Sequence, residues 1–314
     1  MTTSNPAPAR LFVLLARTAP VGVILRRGPS DWVQMIHWNT RSDVFTPGQW
    51  FHGRIYEHKS DLSPNGKLFV YDAYKPWINP TDSEYGNRWT AVSKPPYFTA
   101  LGLWTHKSFQ GGGGHFNDDE QLLVNFLHDE LTPHPDHRPK EIEVTRTESE
   151  NYMKNSIRYH RMLRDGWKQL GFKKITRLPF WFKGKFLPEN DTKIILQKWV
   201  RHSAAPINLM CEITYSYRTV SPRGSRHKAL YEIVPQYRYS AKWYSPKESP
   251  RTDYYLSGVT WADFDYKRRP VMAKDGKIFT VNLNEADELI FTELADFNAN
   301  QPEAIESPAW AKKW

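Results

Sequence analysis

Residues 60–75 read SDLSPNGKLFVYDAYK, a turn signal followed by an alternating run of strand-forming residues. Pro64 presets a turn-type φ, and Asn65 and Gly66 tolerate positive φ. Beyond the turn, Leu68, Val70 and Asp72 fall on one side of an extended chain, Phe69 and Tyr71 on the other. A strand that is apolar on both sides is buried on both sides, as in stacked sheets.

The pattern returns near the other end, in WADFDYKRRPVMAKDGKIFTVNL, residues 261–283. Aligned on the aspartates, Asp61-Leu62-Ser63 matches Asp263-Phe264-Asp265, and Lys67-Leu68-Phe69-Val70 matches Arg269-Pro270-Val271-Met272. The second copy continues through Lys274-Asp275-Gly276-Lys277 into another apolar run, and Asp-Gly between apolar runs is a hairpin signal. DLSPNGKLFVY resembles the WD40-like repeat of TolB-type β-propellers, with Asn65 where that repeat usually has Asp. The resemblance implies a blade element.

Between the copies the same grammar recurs. VGVILRR, WVQMIHWN and VFTPGQWF, within residues 21–51, form three strands joined by GPSD and TRSD. WTAVSK, YFTALGLWTHK and QLLVNFL follow, giving meander units about 40 residues apart, the period of propeller blades. Thr147 and Glu150 form a capping-box pair, and apolar residues recur at helical spacing to Leu163, where Asp165-Gly166 ends the run. A helix is expected over residues 148–163, within an insertion at about 141–165. Strand candidates resume from Trp167: KITRLPFWFKG, KIILQKWV, INLMCEITYSYRTV, KALYEIVPQYRY, YYLSGVTWADFD, IFTVNL and ELIFTELADF. RLFVLLA at the start of the chain is expected to close the last blade and hide a sheet edge. The expected fold is all-β, a β-propeller of five or six degenerate blades with one helical insertion, as a single domain over residues 1–314. RRGPSDWVQMIHWNTRSDVFTPGQWF, RDGW and ELADFNANQPEAIESPAWAKKW are also similar to a group of uncharacterised bacterial propeller-like proteins, which brings no activity with it.

Composition narrows the partners. The net charge is +9, yet seven acids lie after residue 280, all of them in an acidic segment at 284–306. Residues 1–280 therefore hold 41 basic and 27 acidic side chains. A basic body of that kind could face nucleic acid, acidic lipid or an acidic protein. With Cys211 alone, no internal disulfide forms, and no apolar run reaches the ~20 residues of a membrane helix. A cytoplasmic protein without membrane contact is expected.

Candidate chemistry is sparse. Residues 111–114, GGGG, could wrap an anion, but no Gly-Lys-Ser/Thr follows and the run reads as a hairpin loop. His128, Asp129, His134, Asp136 and His137 are possible metal ligands in a Pro-stiffened loop whose spacing matches no established pair, so no metal is expected. Cys211 reads as a buried thiol. Asp61, Asp72, Asp263, Asp265 and Glu232 lie at strand ends or turns; five-bladed propeller glycosidases use carboxylates near the central axis as acid and base, but Asp61 and Asp263 read first as partners of their own turns. No catalytic residue and no cofactor are assigned. Arg26, Arg27, Arg223, Arg226, Arg251, Arg268 and Arg269 fall in or near turns and would make a basic rim if those turns share a face. The basic-aromatic stretches at 173–186 and 237–255 fit nucleic acid or half-buried strands. The functional expectation is a non-enzymatic scaffold binding a protein partner through a basic loop face. Nucleic-acid binding through that face is the alternative, and a carbohydrate-active enzyme the third reading.

Overall fold

The computed structural model describes residues 7–314 except 29–30, 82, 108–110, 127–129, 148–156, 175–194, 203–206, 221–229, 244–251 and 286–287. The chain is all-β with one short helix among the described residues, and its strands form five small sheets, the blade count of a five-bladed β-propeller. Two compact units hold them: Met1–Arg161 with Thr260–Trp314, and Met162–Val259.

In the first unit, β1 (Arg10–Leu15), β2 (Val21–Arg27), β3 (Trp32–Asn39) and β4 (Val44–His52) form an antiparallel meander. The second sheet is built from β5 (Arg54–Ile55), β6 (Asp61–Leu62), β7 (Phe69–Tyr74), β8 (Arg88–Ser93) and β9 (Gly102–Thr105). The third holds β10 (Gly114–Phe116), β11 (Gln121–Val124) and β12 (Glu143–Arg146). Alternation explains why they stack. Val23, Leu25 and Met35 of the first sheet pack with Phe69, Tyr71 and Ala73 of the second. On the other face of the first sheet, Ile24, Ile36 and Trp38 pack with Trp261, Val271 and Ile278 near the chain end. The far face of the second sheet sets Val70, Val92 and Trp104 against Phe116, Leu122 and Val124. Strand β7 is buried along its whole length, with its two faces divided as the alternation requires.

The expected closure by the N-terminal strand does not occur. β1 pairs with β2 through the register Arg10↔Arg27 to Leu15↔Gly22, so it opens its own sheet. A short connection makes this hairpin a local pairing, with a small loop-closure cost. The last sheet is β18 (Val259–Phe264), β19 (Pro270–Lys274), β20 (Lys277–Leu283) and β21 (Leu289–Asp296). From there residues 297–314 run back as a strap. Asn300 Nδ2 donates to Gln34 Oε1 (2.7 Å), and Gln49 Nε2 donates to Ile305 O (2.8 Å). Lys94 Nζ donates to Lys313 O (2.6 Å) and Trp314 Nε1 to Leu101 O (3.2 Å).

The repeat is real, but its register shifts by one. Ser63 N donates to Leu68 O (2.8 Å), Gly66 N to Ser63 O (2.8 Å), and Leu68 N to Ser63 Oγ (2.9 Å). In the second copy Asp265 N donates to Arg269 O (3.1 Å), Arg268 N to Asp265 O (2.8 Å), and Arg269 N to Asp265 Oδ1 (2.8 Å). Arg269 thus takes the place of Leu68, not of Lys67, because the first turn holds one more residue before its closing amide. Matching apolar letters missed this; a one-residue slip exchanges the two faces of a strand.

The segment expected as a helical insertion begins with β12, parallel to β11, because Ile142 and Val144 alternate with polar neighbours. The helix α1 covers Ile157–Arg164, and residues 148–156 lie outside the described residues. It stops as read, with Gly166 at φ +86. The expected Thr147–Glu150 cap falls outside the described residues at Glu150; the Thr147 hydroxyl donates to Val124 O (3.3 Å).

The second unit carries one five-stranded sheet: β13 (Trp167–Lys174), β14 (Ile195–His202), β15 (Ile207–Val220), β16 (Leu230–Trp243) and β17 (Thr252–Tyr255). β15 and β16 pair from Ile207↔Trp243 to Val220↔Leu230, beyond the reach of β14 and β17. Pro235 sits in that extension, where β16 has no second neighbour among the described residues to need its missing N–H.

Candidate binding face

Two turns of the first unit meet through one arginine. The β18–β19 turn closes on Asp265 as described, which leaves Tyr266, Lys267 and Arg268 exposed. Arg268 takes φ 61, a left-handed conformation. The β3–β4 turn is wound by Asn39, whose Oδ1 accepts from Arg41 N (3.0 Å) and Ser42 N (3.2 Å), and it ends on Asp43 at φ 56. The Arg269 guanidinium then joins the turns. Nη1 donates to Asp43 Oδ2 (2.9 Å), Nη2 to Asp43 Oδ1 (2.7 Å), and Nε to Asp265 Oδ2 (2.8 Å). The planar fork matches a carboxylate bidentately, which a lysine would not do. Lys267 Nζ adds a contact to Asp43 Oδ2 (3.3 Å), and Trp38 Nε1 donates to Asp43 Oδ1 (3.3 Å).

Burial works to raise the Asp43 pKa, but the hydrogen bonds and charges of Arg269 and then Lys267 outweigh it and hold the carboxyl below its usual value. The Asp43 hydrogen bond in turn raises the Arg269 pKa. Facing outward beside this latch, the Arg41 guanidinium lies 5.4 Å from the Tyr266 ring centre, with both side chains exposed. Arg41, Tyr266, Lys267 and Arg268 thus form a compact basic-aromatic surface on fixed turns.

The residues named from sequence divide. Arg268 and Arg269 lie on this face, one displayed and one as the latch. Arg26 and Arg27 lie at the opposite end of the first sheet, because β2 and β3 run antiparallel. Arg26 is 1% exposed and donates to the carbonyls of Phe297 (3.0 Å), Asn298 (3.2 Å) and Gly28, so it fastens the start of the strap. Arg27 is half-buried. Arg223, Arg226 and Arg251 lie outside the described residues. Asp43, Arg41, Tyr266 and Lys267 were not singled out from sequence. The TRSD turn held the signal: an Asp across from a second basic turn.

The other candidate chemistry gathers inside the second sheet. Arg88 Nη2 donates to Asp72 Oδ2 and to Gly111 O, both at 2.6 Å, and Lys59 Nζ donates to Gly111 O at 2.7 Å. The Gly111 carbonyl therefore faces cations, while Gly112 N donates to Asn125 O (2.8 Å) and Gly113 N to Thr90 Oγ1 (2.7 Å). A loop whose amides are so engaged does not wrap an anion. A Cβ on Gly112 would lie 2.8 Å from Asp72 Oδ2, so the backbone there requires glycine. Thr90 Oγ1 is 2.8 Å from His106 Nε2, and His106 Nδ1 is 2.9 Å from Glu130 Oε2. Burial would raise the Asp72 pKa, yet the charges of Arg88, Lys59 and His106 hold it below the usual carboxylate range, which suits an ion pair more than a general acid.

The remaining acids scatter. Asp61 Oδ2 accepts from Phe116 N of the third sheet (2.8 Å), and Asp263 Oδ1 accepts from the adjacent Phe264 N (2.7 Å). The side chain of Glu232 lies outside the described residues, and Cys211 is buried at 1% exposure.

Fold and surface together define the class: a five-bladed β-propeller that displays a basic-aromatic turn pair. In comparison with known proteins, no family model matches the chain, and no curated protein or solved structure does.

Proposed function

We propose that this propeller is a non-enzymatic interaction module that binds an acidic segment of a protein partner in the cytoplasm. The observation that carries the reading is the Arg269 fork on Asp43 and Asp265, which fixes two turns so that Arg41, Lys267 and Arg268 stand together beside Tyr266. Side chains held in place before binding lose little entropy on association. The excess of basic residues over 1–280 supports the same polarity of partner. The likeness of DLSPNGKLFVY to WD40-like, TolB-type repeats supports it further, since rigid propeller loops commonly hold partners.

The test is a binding comparison between the native chain and the pair Arg41→Glu, Arg268→Glu. Both side chains are exposed, so the fold is expected to survive. Capture of an acidic partner by the native chain, lost in the variant, supports the reading. A mobility shift with single- or double-stranded DNA or RNA that persists at physiological salt and is lost in the variant assigns the face to nucleic acid instead. Equal capture by both chains removes the face from the function.

A further inference from the structure

The loop set aside from sequence as a solvated stretch is held firmly at residues 134–137. His134 N donates to Leu103 O (2.8 Å), Leu103 N to His137 O (3.0 Å), and His137 N to His134 O (3.0 Å). This tight turn is thereby fastened to strand β9 on both sides. Tyr85, from the loop between β7 and β8, packs against both rings, 4.9 Å from His134 and 5.8 Å from His137. Its neighbour Glu84 brings Oε1 to 3.5 Å from His134 Nε2. One ligand atom each from Glu84, His134 and Asp136 lies within 4.8 Å of the others.

We propose that Glu84, His134 and Asp136, with His137 beside them, form a site for one divalent transition cation of the zinc type. The donor chemistry fits: imidazole with carboxylate is a zinc set, and two carboxylates offset the charge of a dication. His137 adds an independent feature. Its Nδ1 lies 3.0 Å from Ala100 O, and a carbonyl only accepts, so the proton is on Nδ1 and Nε2 presents a lone pair. A ring proton fixed on a backbone carbonyl is the usual outer support of a metal-binding histidine.

The ring spacing also agrees. Two imidazoles on one tetrahedral zinc, with Zn–N of about 2.0–2.1 Å, bring their ring centres to roughly 5 Å. Those of His134 and His137 are 5.7 Å apart. Exposed Glu84 is free to swing inward. One contact opposes binding: Asp136 N donates to His134 Nδ1 at 3.3 Å, which places the ring proton on Nε2. Coordination through Nε2 shifts that proton to Nδ1 and gives up this long contact. The cation would clip the β7–β8 loop to the turn on β9, well separated in sequence from Arg41 and Tyr266.

The test uses Zn2+ itself with the full chain, stripped with a chelator, competing against a chromogenic zinc indicator near neutral pH. One equivalent bound is expected, with affinity lowered 10-fold or more in Glu84→Gln and in His134→Asn, and less in His137→Asn. His52→Asn serves as the surface-histidine control and leaves uptake unchanged. Zinc should raise the melting temperature of the native chain and not that of Glu84→Gln, whose side chain is exposed and isosteric. No tight equivalent, or equal uptake by the Glu84→Gln and His134→Asn chains, overturns the proposal.

Discussion

The two copies of the repeated hairpin share a hydrogen-bond pattern and differ in what surrounds it. In the first, Ser63, Pro64 and Gly66 are buried, and Asn65 N donates to Asp119 Oδ1 (2.8 Å) of the neighbouring hairpin. The second leaves Tyr266, Lys267 and Arg268 in solvent. The residue closing the turn has positive φ in both, +76 for Gly66 and 61 for Arg268. The first copy uses glycine because it has no room: a Cβ there would lie 2.7 Å from Val21 Cβ. The second has room and carries an arginine despite the left-handed backbone. One copy packs a blade and the other displays a surface, and each has its own ion network, Asp72 with Arg88 inside and Asp43 with Arg269 at the rim.

The sharpest separation between the two should come from neutralising each network's carboxylate. Asp72 is fully buried, and Arg88 is 2% exposed. Asp72→Asn leaves Arg88 without its counter-charge in the interior, so a loss of about 3–5 kcal/mol is expected. Asp43→Asn removes a half-exposed partner and should cost about 1 kcal/mol. Urea unfolding followed by tryptophan fluorescence measures both. Equal losses would mean that burial does not divide the copies.

The turns themselves give the next contrast. Gly66→Ala forces an L-residue into positive φ against Val21 and should cost about 2–4 kcal/mol. The same measurement with a loss under about 1 kcal/mol would show that the first turn can open, against its packing.

Acidification reads the networks together. Asp72 and Asp43 both have depressed pKa values. Such a carboxylate binds its proton more weakly in the folded chain, so its stabilisation is complete above the unfolded value of about 3.9 and fades as pH falls through the folded value. Stability should therefore drop below about pH 4, and Asp43→Asn should flatten part of that drop. An unchanged acid profile in that variant would show that the rim pair contributes nothing.

Much of this was legible in sequence. Residues 21–52 read directly as strands because alternation and turn residues agree over three short segments. The double-sided burial of β7 followed from its two apolar faces. What the sequence withheld was long-range. The closing strap depends on polar contacts such as Gln49 with Ile305 O, which leave no periodic trace. Asp43 and Arg269 are 226 positions apart, and nothing local marks them as partners. Glu84 faces His134 only because β7, β8 and β9 fold its loop back over the turn. Arg26 and Arg269 looked equivalent as turn arginines, but an antiparallel sheet sends alternate turns to opposite ends.

The smallest expected effect is the most telling for the displayed copy. Arg268 at φ 61 bears the steric cost of a left-handed L-residue, about 1–2 kcal/mol. Glycine removes that cost but adds back about 0.5–1 kcal/mol of unfolded-chain entropy. Arg268→Gly should therefore raise stability slightly, by about 0.5 kcal/mol. If Arg268 is kept for contact, the same variant should bind the proposed acidic partner several-fold more weakly while melting at an equal or higher temperature. A mutation that stabilises the turn and weakens binding separates display from packing within a single residue. If binding survives intact, Arg268 is no part of the contact, and Arg41 with Tyr266 would carry the face alone.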